Sequence, residues 1–102
     1  MDKLEKSTLL IKRFVRSESV VHRQIAGESI LVPIHKRVEE ADAIFTLNEV
    51  ASRFWELLNE DRTFDEISKQ LLKEYDVSSQ TLSEDLSQLV EELLHLNMIC
   101  EV

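Results

Sequence analysis

The clearest alternation of hydrophobic and polar positions in this chain lies between residues 43 and 99. A short apolar run, Ala43–Leu47, predicts a β-strand that ends at Asn48. After it, apolar residues recur at spacings of three and four in three successive segments, which is the pattern of amphipathic helices. The third predicted helix carries the longest apolar stripe, made of Leu82, Leu86, Leu89, Val90, Leu93 and Leu94.

Polar residues mark the start of each predicted helix. Asn48 is a favourable N-cap, because its side chain can accept a hydrogen bond from an unpaired amide of the first turn. Thr63 followed by Glu66 is the sequence signature of a capping box. Ser78 or Ser79 is the expected cap of the third helix. The first of these helices places Trp55 on its apolar face, so we expect that side chain to be buried.

Two further segments before residue 43 predict a hairpin. Ser19–Ile25 and Ser29–Ile34 are rich in β-branched residues. Gly27, between them, can adopt the positive φ that a tight turn needs. Pro33 cannot donate to a strand ladder, so we expect it at a strand end, an edge or a bulge.

These elements together predict the fold class. The polar stretch His35–Asp42 is the expected connection from the hairpin to the strand Ala43–Leu47. The result is an α+β, winged-helix-like fold, with a three-stranded antiparallel sheet followed by three helices. A chain of 102 residues is one domain, which we expect over residues 18–102. Residues 1–17 have weak periodicity and predict a frayed N-terminal arm with a short strand near Ile11–Val15.

The net charge of −8 is unevenly distributed. Residues 1–40 contain eight Lys or Arg and six Asp or Glu, whereas residues 41–102 contain four and fourteen. The third predicted helix has no Lys or Arg. A winged-helix protein that reads DNA through this helix needs cations there for the phosphates, so we expect no nucleic-acid binding. The acidic surface is either ordinary solvated surface or attractive to a basic partner.

The sequence offers little for catalysis or metal binding. Cys100 has no second cysteine, and His22, His35 and His95 lack metal-ligand spacing. The single glycine excludes a Gly-rich phosphate loop, and no serine lies in a Gly-flanked nucleophile motif. We therefore expect no enzyme activity, no metal and no cofactor. No segment approaches the ~20 apolar residues of a membrane span, so the expected location is the cytoplasm.

The third predicted helix, from about residue 81 to residue 95 or 97, has an unusually wide apolar arc. Val90 and Leu94 extend the arc on one side of the line through Leu82 and Leu86. Such an arc is covered by two neighbouring elements or leaves one flank for a partner. Burial by two neighbours is slightly favoured in a three-helix domain, but the pattern leaves both alternatives open.

Five motifs occur in a fixed order along the chain. They are Phe45–Asn48, Phe54–Leu58, Arg62–Ile67, Glu74–Val77, and Asp85 in the Leu-rich helix that precedes Leu96–Ile99. Their order and spacing resemble the PqqD-like family, the group of pyrroloquinoline quinone synthesis protein D and related RiPP recognition elements, over roughly Val20–Ile99. One departure is Glu39–Asp42, where many members have a short Gly-containing turn.

The resemblance implies a fold of three strands and three helices and a non-catalytic adaptor function. Such proteins bind the leader segment of a ribosomally synthesised precursor peptide and present it to a modifying enzyme, often a radical SAM protein. The leader would add as a strand to the edge of the third strand, with the third helix as the opposite wall and Asp85 available to a basic or hydroxyl group. The expected peptide-binding residues are Ala43, Ile44, Phe45, Thr46, Leu47, Leu82, Asp85, Leu86 and Leu89.

Two other functions remain as alternatives. A self-associating structural module would pair the strand edge with a second copy and form a homodimer. A winged-helix regulator would act without nucleic-acid contact through the third helix, because that helix lacks cations. Dependence of the apparent size on concentration separates the first alternative from a monomeric adaptor.

Overall fold

The computed structural model describes residues 6–26, 28–34 and 44–102, with side chains from residue 8 onward. The predicted turn residue Gly27, the predicted connection 35–42 and Ala43 lie outside the described residues. Within them, the elements in chain order are α1 (Lys6–Leu9), β1 (Phe14–Arg16), β2 (Val20–Ile25), β3 (Glu28–Pro33), β4 (Phe45–Leu47), α2 (Glu49–Leu57), α3 (Phe64–Glu74), α4 (Ser79–His95) and β5 (Ile99–Glu101).

An antiparallel sheet with the order β2-β3-β4 forms one side of the domain. In its register Leu31 lies opposite both His22 and Phe45, and Ser29 lies opposite Leu47. β3 is therefore the central strand, and β4 has a strand partner on one side only among the described residues. With α2, α3 and α4, this sheet confirms the predicted α+β fold of three antiparallel strands followed by three helices.

The predicted N-caps of all three helices are confirmed. Each cap side chain accepts a hydrogen bond from the backbone amide three residues further along, which satisfies one unpaired amide of the first turn. The caps are Asn48, Thr63 and Ser78. The Thr63 amide also donates to the Glu66 carboxylate at 2.8 Å, which completes the capping box.

Asn97 ends α4 and redirects the chain. Its φ of 59° lies in the left-handed region, which Asn adopts more readily than most non-glycine residues. The Met98 amide donates to the Leu93 carbonyl at 2.9 Å and the Asn97 amide to the Leu94 carbonyl at 3.1 Å, the two bonds of a Schellman motif. Met98 and Ile99 are consequently buried, and β5 begins at once.

The core lies between the sheet and the three long helices. Trp55 is 3% exposed, which confirms its predicted burial. Phe54 and Phe64 pack edge to face with ring centroids 6.0 Å apart and thereby join α2 to α3. α4 packs against α3 and β5, and its buried residues are Leu82, Leu86, Leu89, Val90 and Leu93.

The described part of the predicted N-terminal arm, from residue 6 to residue 17, is not frayed. Leu9 and Phe14 are each 1% exposed and belong to the core. β1 pairs antiparallel with β5. It begins at Phe14, slightly later than the strand expected near Ile11–Val15. The carbonyls of Leu10 and Lys12 accept the first two amides of α3, at 3.1 Å and 2.8 Å. The partners of these described residues lie far away in the sequence. Local periodicity gives no signal of such partners.

Candidate functional site

A groove of about 430 Å³ lies between β4 and α4. Its lining comes from the end of the sheet, the first turn of α2, the segment before α4 and one side of α4. The lining residues are Phe45, Thr46, Asn48, Val50, Ala51, Val77, Thr81, Leu82, Asp85, Leu86, Gln88, Leu89 and Glu92.

The floor of the groove is apolar because the buried face of α4, which carries leucines, lines it. Leu82, Leu86 and Leu89 repeat at spacings of four and three, so they lie on one face of the helix. Val50 and Ala51 are half-buried and complete the floor from α2. They are close to β4 in space because the Asn48 cap starts α2 directly after the strand, with no intervening loop.

The rim of the groove along α4 is polar and acidic. Thr81, Asp85, Gln88 and Glu92 are all exposed and follow one another at spacings of four, three and four. The two ionisable residues of this rim are both carboxylates, and α4 has no Lys or Arg. Because the floor is apolar, the fixed negative charge of the groove lies on its exposed rim.

The outer edge of β4 borders the same groove. β4 is hydrogen-bonded to β3 on its other side, and no described residue pairs with it here. Such an edge offers backbone N–H and C=O groups to an added strand. A strand edge beside an apolar groove suits an extended peptide, whose main chain pairs with the edge while alternate side chains enter the groove.

The predicted site residues have different locations in the structure. Six of them come together in the lining of the groove, namely Phe45, Thr46, Leu82, Asp85, Leu86 and Leu89. The side chain of Leu47 is buried in the core, so only its backbone is available at the edge. Ile44 is 51% exposed and lies outside the lining of the groove. Ala43 lies outside the described residues.

The prediction missed several lining residues. Thr81, Gln88 and Glu92 could have been found by extending the helical spacing from Asp85 in both directions, because all four lie on one flank of α4. Val50 and Val77 gave no such signal. They reach the groove through the packing of α2 and of the α3–α4 connection, which the spacing along one helix does not reveal.

The described residues hold little that is typical of a metal centre or a catalytic site. They contain no group of three or more His, Cys, Asp or Glu able to hold a metal ion. Arg53 and Glu74, whose pKa values are strongly shifted by their mutual hydrogen bonds, lie outside the groove. Within the described ranges, no helix is both long enough and apolar enough to traverse a bilayer.

Known proteins supply an independent comparison. The solved structure of TbiB1 in complex with the TbiA(beta) leader peptide is similar to this chain, with a TM-score of 0.66 and 28% sequence identity. The similarity covers 83% of this chain and 93% of that chain. No curated protein sequence matches significantly. The family model of coenzyme PQQ synthesis protein D matches residues 28–99, and the chain therefore belongs to the PqqD family.

Proposed function

We propose that this protein binds the leader segment of a ribosomally synthesised precursor peptide and presents it to a modifying enzyme. The observation that carries the proposal is the position of the β4 edge beside the apolar groove on α4. Membership of the PqqD family and the similarity to TbiB1, which was solved with a leader peptide, support the same function.

In the proposed complex the leader adds as a strand along residues 43–47. Main-chain hydrogen bonds to β4 supply affinity that does not depend on the leader sequence, and side chains on one face supply selectivity. Those side chains enter the groove above Leu82, Leu86 and Leu89. Asp85, on the exposed rim, accepts from a basic or hydroxyl group of the leader, while Ile44 offers an apolar contact at the start of the edge.

The protein acts here as an adaptor, and the chemistry belongs to its partner. The groove lining contains no His, Ser, Cys or Lys, and its two carboxylates, Asp85 and Glu92, lie on the exposed rim. A radical SAM enzyme is the class of partner that the family resemblance favours. In this function the bound leader stays unmodified, and the segment beyond the groove is delivered to the enzyme.

Backbone NMR of the full chain tests the proposal. The ¹⁵N-labelled protein is titrated with a synthetic peptide covering the leader of the precursor encoded beside its gene. We expect the amides of residues 44–48 and 81–92 to shift, whereas the exposed side of α3 at Asp65, Lys69 and Lys73 stays unchanged. Saturable binding that shifts α3 and leaves β4 unchanged would contradict the proposed site.

Two N-methylated versions of that peptide form a matched pair that tests whether the leader binds as an added strand. Alternate amides of a strand face its neighbour, so methylating one alternate set removes the donors toward β4 and methylating the other set leaves them. We expect one version to bind about tenfold more weakly or worse, since each lost hydrogen bond costs about 1 kcal/mol. Equal affinity of the two versions would exclude strand addition.

Self-association through the same edge is the second candidate function, because β4 has no partner on this side among the described residues. β4 spans only Phe45–Leu47, and such short edge strands pair poorly with copies of themselves. The two functions compete for one edge. If a homodimer forms through β4, analytical ultracentrifugation will show it dissociating as the leader peptide is added.

A further inference from the structure

A second hollow, of about 470 Å³, continues the groove toward the end of α4. Its lining residues are Phe45, Glu91, Glu92, His95 and Leu96. Phe45 and Glu92 line both the hollow and the groove, so the two adjoin each other. Asn48 and Val50 line only the groove, which places the hollow at the Phe45 end of β4.

The hollow combines apolar walls with negative charge. Phe45 and Leu96 are half-buried and present apolar surface, while the Glu92 carboxylate is exposed at the junction with the groove. Glu91 also lines the hollow, and the last turn of α4 contributes the negative end of the helix dipole. The imidazole of His95 is the one nitrogen-containing side chain in this lining.

We propose that this hollow accepts a Lys or Arg side chain of the bound leader. The inference rests on the proposed leader-binding function and names a side chain that the groove selects. Lys and Arg have long apolar stems and a charged head. The stem packs on Leu96, and the head lies between the Glu92 carboxylate and the ring of Phe45, which attracts cations across its face. An acidic leader residue would be repelled, and an aliphatic one would leave Glu92 partly desolvated without a partner.

The geometry also fixes where the basic residue lies relative to the apolar anchors. Glu92 and Leu82 are ten residues apart on α4, about 15 Å along the helix axis. An extended chain covers about 15 Å in four to five residues, and side chains four apart point to the same face. We therefore place the basic residue about four positions from the leader residue that packs above Leu82.

Peptide selection tests this inference without knowledge of the natural leader. A phage-displayed library of random twelve-residue peptides is selected on the immobilised full chain at pH 8. We expect Lys or Arg to be enriched about four positions from an apolar residue. With Glu92→Lys we expect the preference at the same peptide position to change to Asp or Glu. Glu84→Lys makes an equal charge change on the exposed side of α4, outside both the groove and the hollow. It should leave the preference unchanged.

A neutral isostere then measures the contribution of the charge. In one selected peptide the Arg is replaced by citrulline, and both peptides are titrated into the wild type and Glu92→Gln. We expect citrulline to weaken binding to the wild type about two- to fivefold, as for a partly exposed ion pair. The difference should become clearly smaller in Glu92→Gln, and it should also shrink in 1 M salt, where the screening length falls to about 3 Å.

The outcomes separate this inference from the proposed function. Selected peptides that shift the amides of residues 44–48 but show no basic preference would overturn the inference and leave leader binding intact. Failure to obtain any peptide that binds at β4 would contradict both. A basic preference that Glu84→Lys reverses as strongly as Glu92→Lys would show general attraction to an acidic surface, and would also overturn the assigned hollow.

Discussion

The Arg53 guanidinium on α2 donates two hydrogen bonds to the Glu74 carboxylate at the end of α3, Nε to Oε1 at 2.8 Å and Nη2 to Oε2 at 3.0 Å. Gln70 donates to the same carboxylate at 2.8 Å, and Glu56 accepts from the guanidinium at 3.2 Å. The bond from Arg53, followed by that from Gln70, lowers the pKa of Glu74 to about 2. The carboxylates in turn raise the pKa of Arg53. This pair joins α2 to α3 away from the groove.

The first prediction concerns acid stability. Because the pKa of Glu74 is lower in the folded protein than in the unfolded chain, the pair stabilises the fold above about pH 4.5. This contribution is lost as the pH falls from there toward 2. We expect Glu74→Gln to reduce the free energy of unfolding at pH 7 and to flatten its decline between pH 4.5 and 2.

Urea denaturation at several pH values measures both effects. Glu84→Gln removes an exposed carboxylate that accepts a long hydrogen bond, 3.4 Å, from Gln80, and serves as the control. If the Glu74→Gln and Glu84→Gln proteins lose stability in parallel with the wild type down to pH 2, the ion pair does not stabilise the fold.

The second prediction concerns the N-terminal segment. Phe14 is 1% exposed, whereas Ile11, three residues earlier, is 72% exposed. Removing a buried Phe ring typically costs about 3–5 kcal/mol, much of the stability of a small domain. We expect Phe14→Ala to be largely unfolded or strongly destabilised, and Ile11→Ala to stay within about 0.5 kcal/mol of the wild type. Equal denaturation midpoints for the two variants would mean that the segment is not part of the core.

The contrast between this segment and the helices shows what the sequence could predict. Asn48 and Thr63 act on amides three residues away, so their roles are visible in a short window. The partner of Phe14 in the β1–β5 pair is Glu101, at the other end of the chain. Strands of three residues have almost no periodicity, and β1 and β5 are stable only because the fold brings them together. The sequence therefore predicted the helices and caps well and a strand near β1, but not the pairing of that strand with β5.

The sequence likewise predicted only part of the groove. Leu82, Leu86 and Asp85 share one helix, and their spacing alone places them on neighbouring faces. The contributions of Val50 and Val77 depend on how three elements pack. Ala51 adds to the floor only because α2 starts immediately after β4. The α4 wall of the groove could thus be predicted from helical spacing alone, whereas the residues that other elements add to its floor could not.

The third prediction tests the capping box of α3. Thr63→Ala removes the hydroxyl that accepts the Glu66 amide at 3.2 Å, and loss of such a cap costs about 1 kcal/mol. For a domain of this size this corresponds to a decrease in Tm of about 4–8 °C. Thr63→Ser keeps the hydroxyl and should restore most of the loss. Leader binding should be unaffected, because α3 contributes no residue to the groove.

The fourth prediction is that the protein does not bind duplex DNA at physiological salt. α4 carries four carboxylates and no Lys or Arg, so its approach to a phosphate backbone costs electrostatic free energy. We expect no retardation in a gel-shift assay with a pool of random duplexes at about 0.15 M salt, where the screening length is about 8 Å. Sequence-specific retention at sub-micromolar protein concentration would contradict this and would favour a regulator that contacts DNA through an element other than α4.

The last prediction distinguishes the rim of the groove from the rest of the acidic surface. Asp85 lines the groove, whereas Glu84, its neighbour in sequence, does not, and both side chains are exposed. Asp85→Arg and Glu84→Arg therefore make the same change of charge at adjacent positions. Each should alter the free energy of unfolding by no more than about 0.5 kcal/mol, as exposed substitutions usually do.

A leader with a basic residue near Asp85 should bind Asp85→Arg about three- to tenfold more weakly, because an attraction becomes a repulsion. Its affinity should also depend less on salt. Glu84→Arg should change both quantities much less, since only long-range attraction is affected. Titration calorimetry at two salt concentrations measures this difference, and equal affinities for the two folded variants would remove Asp85 from the peptide-binding site.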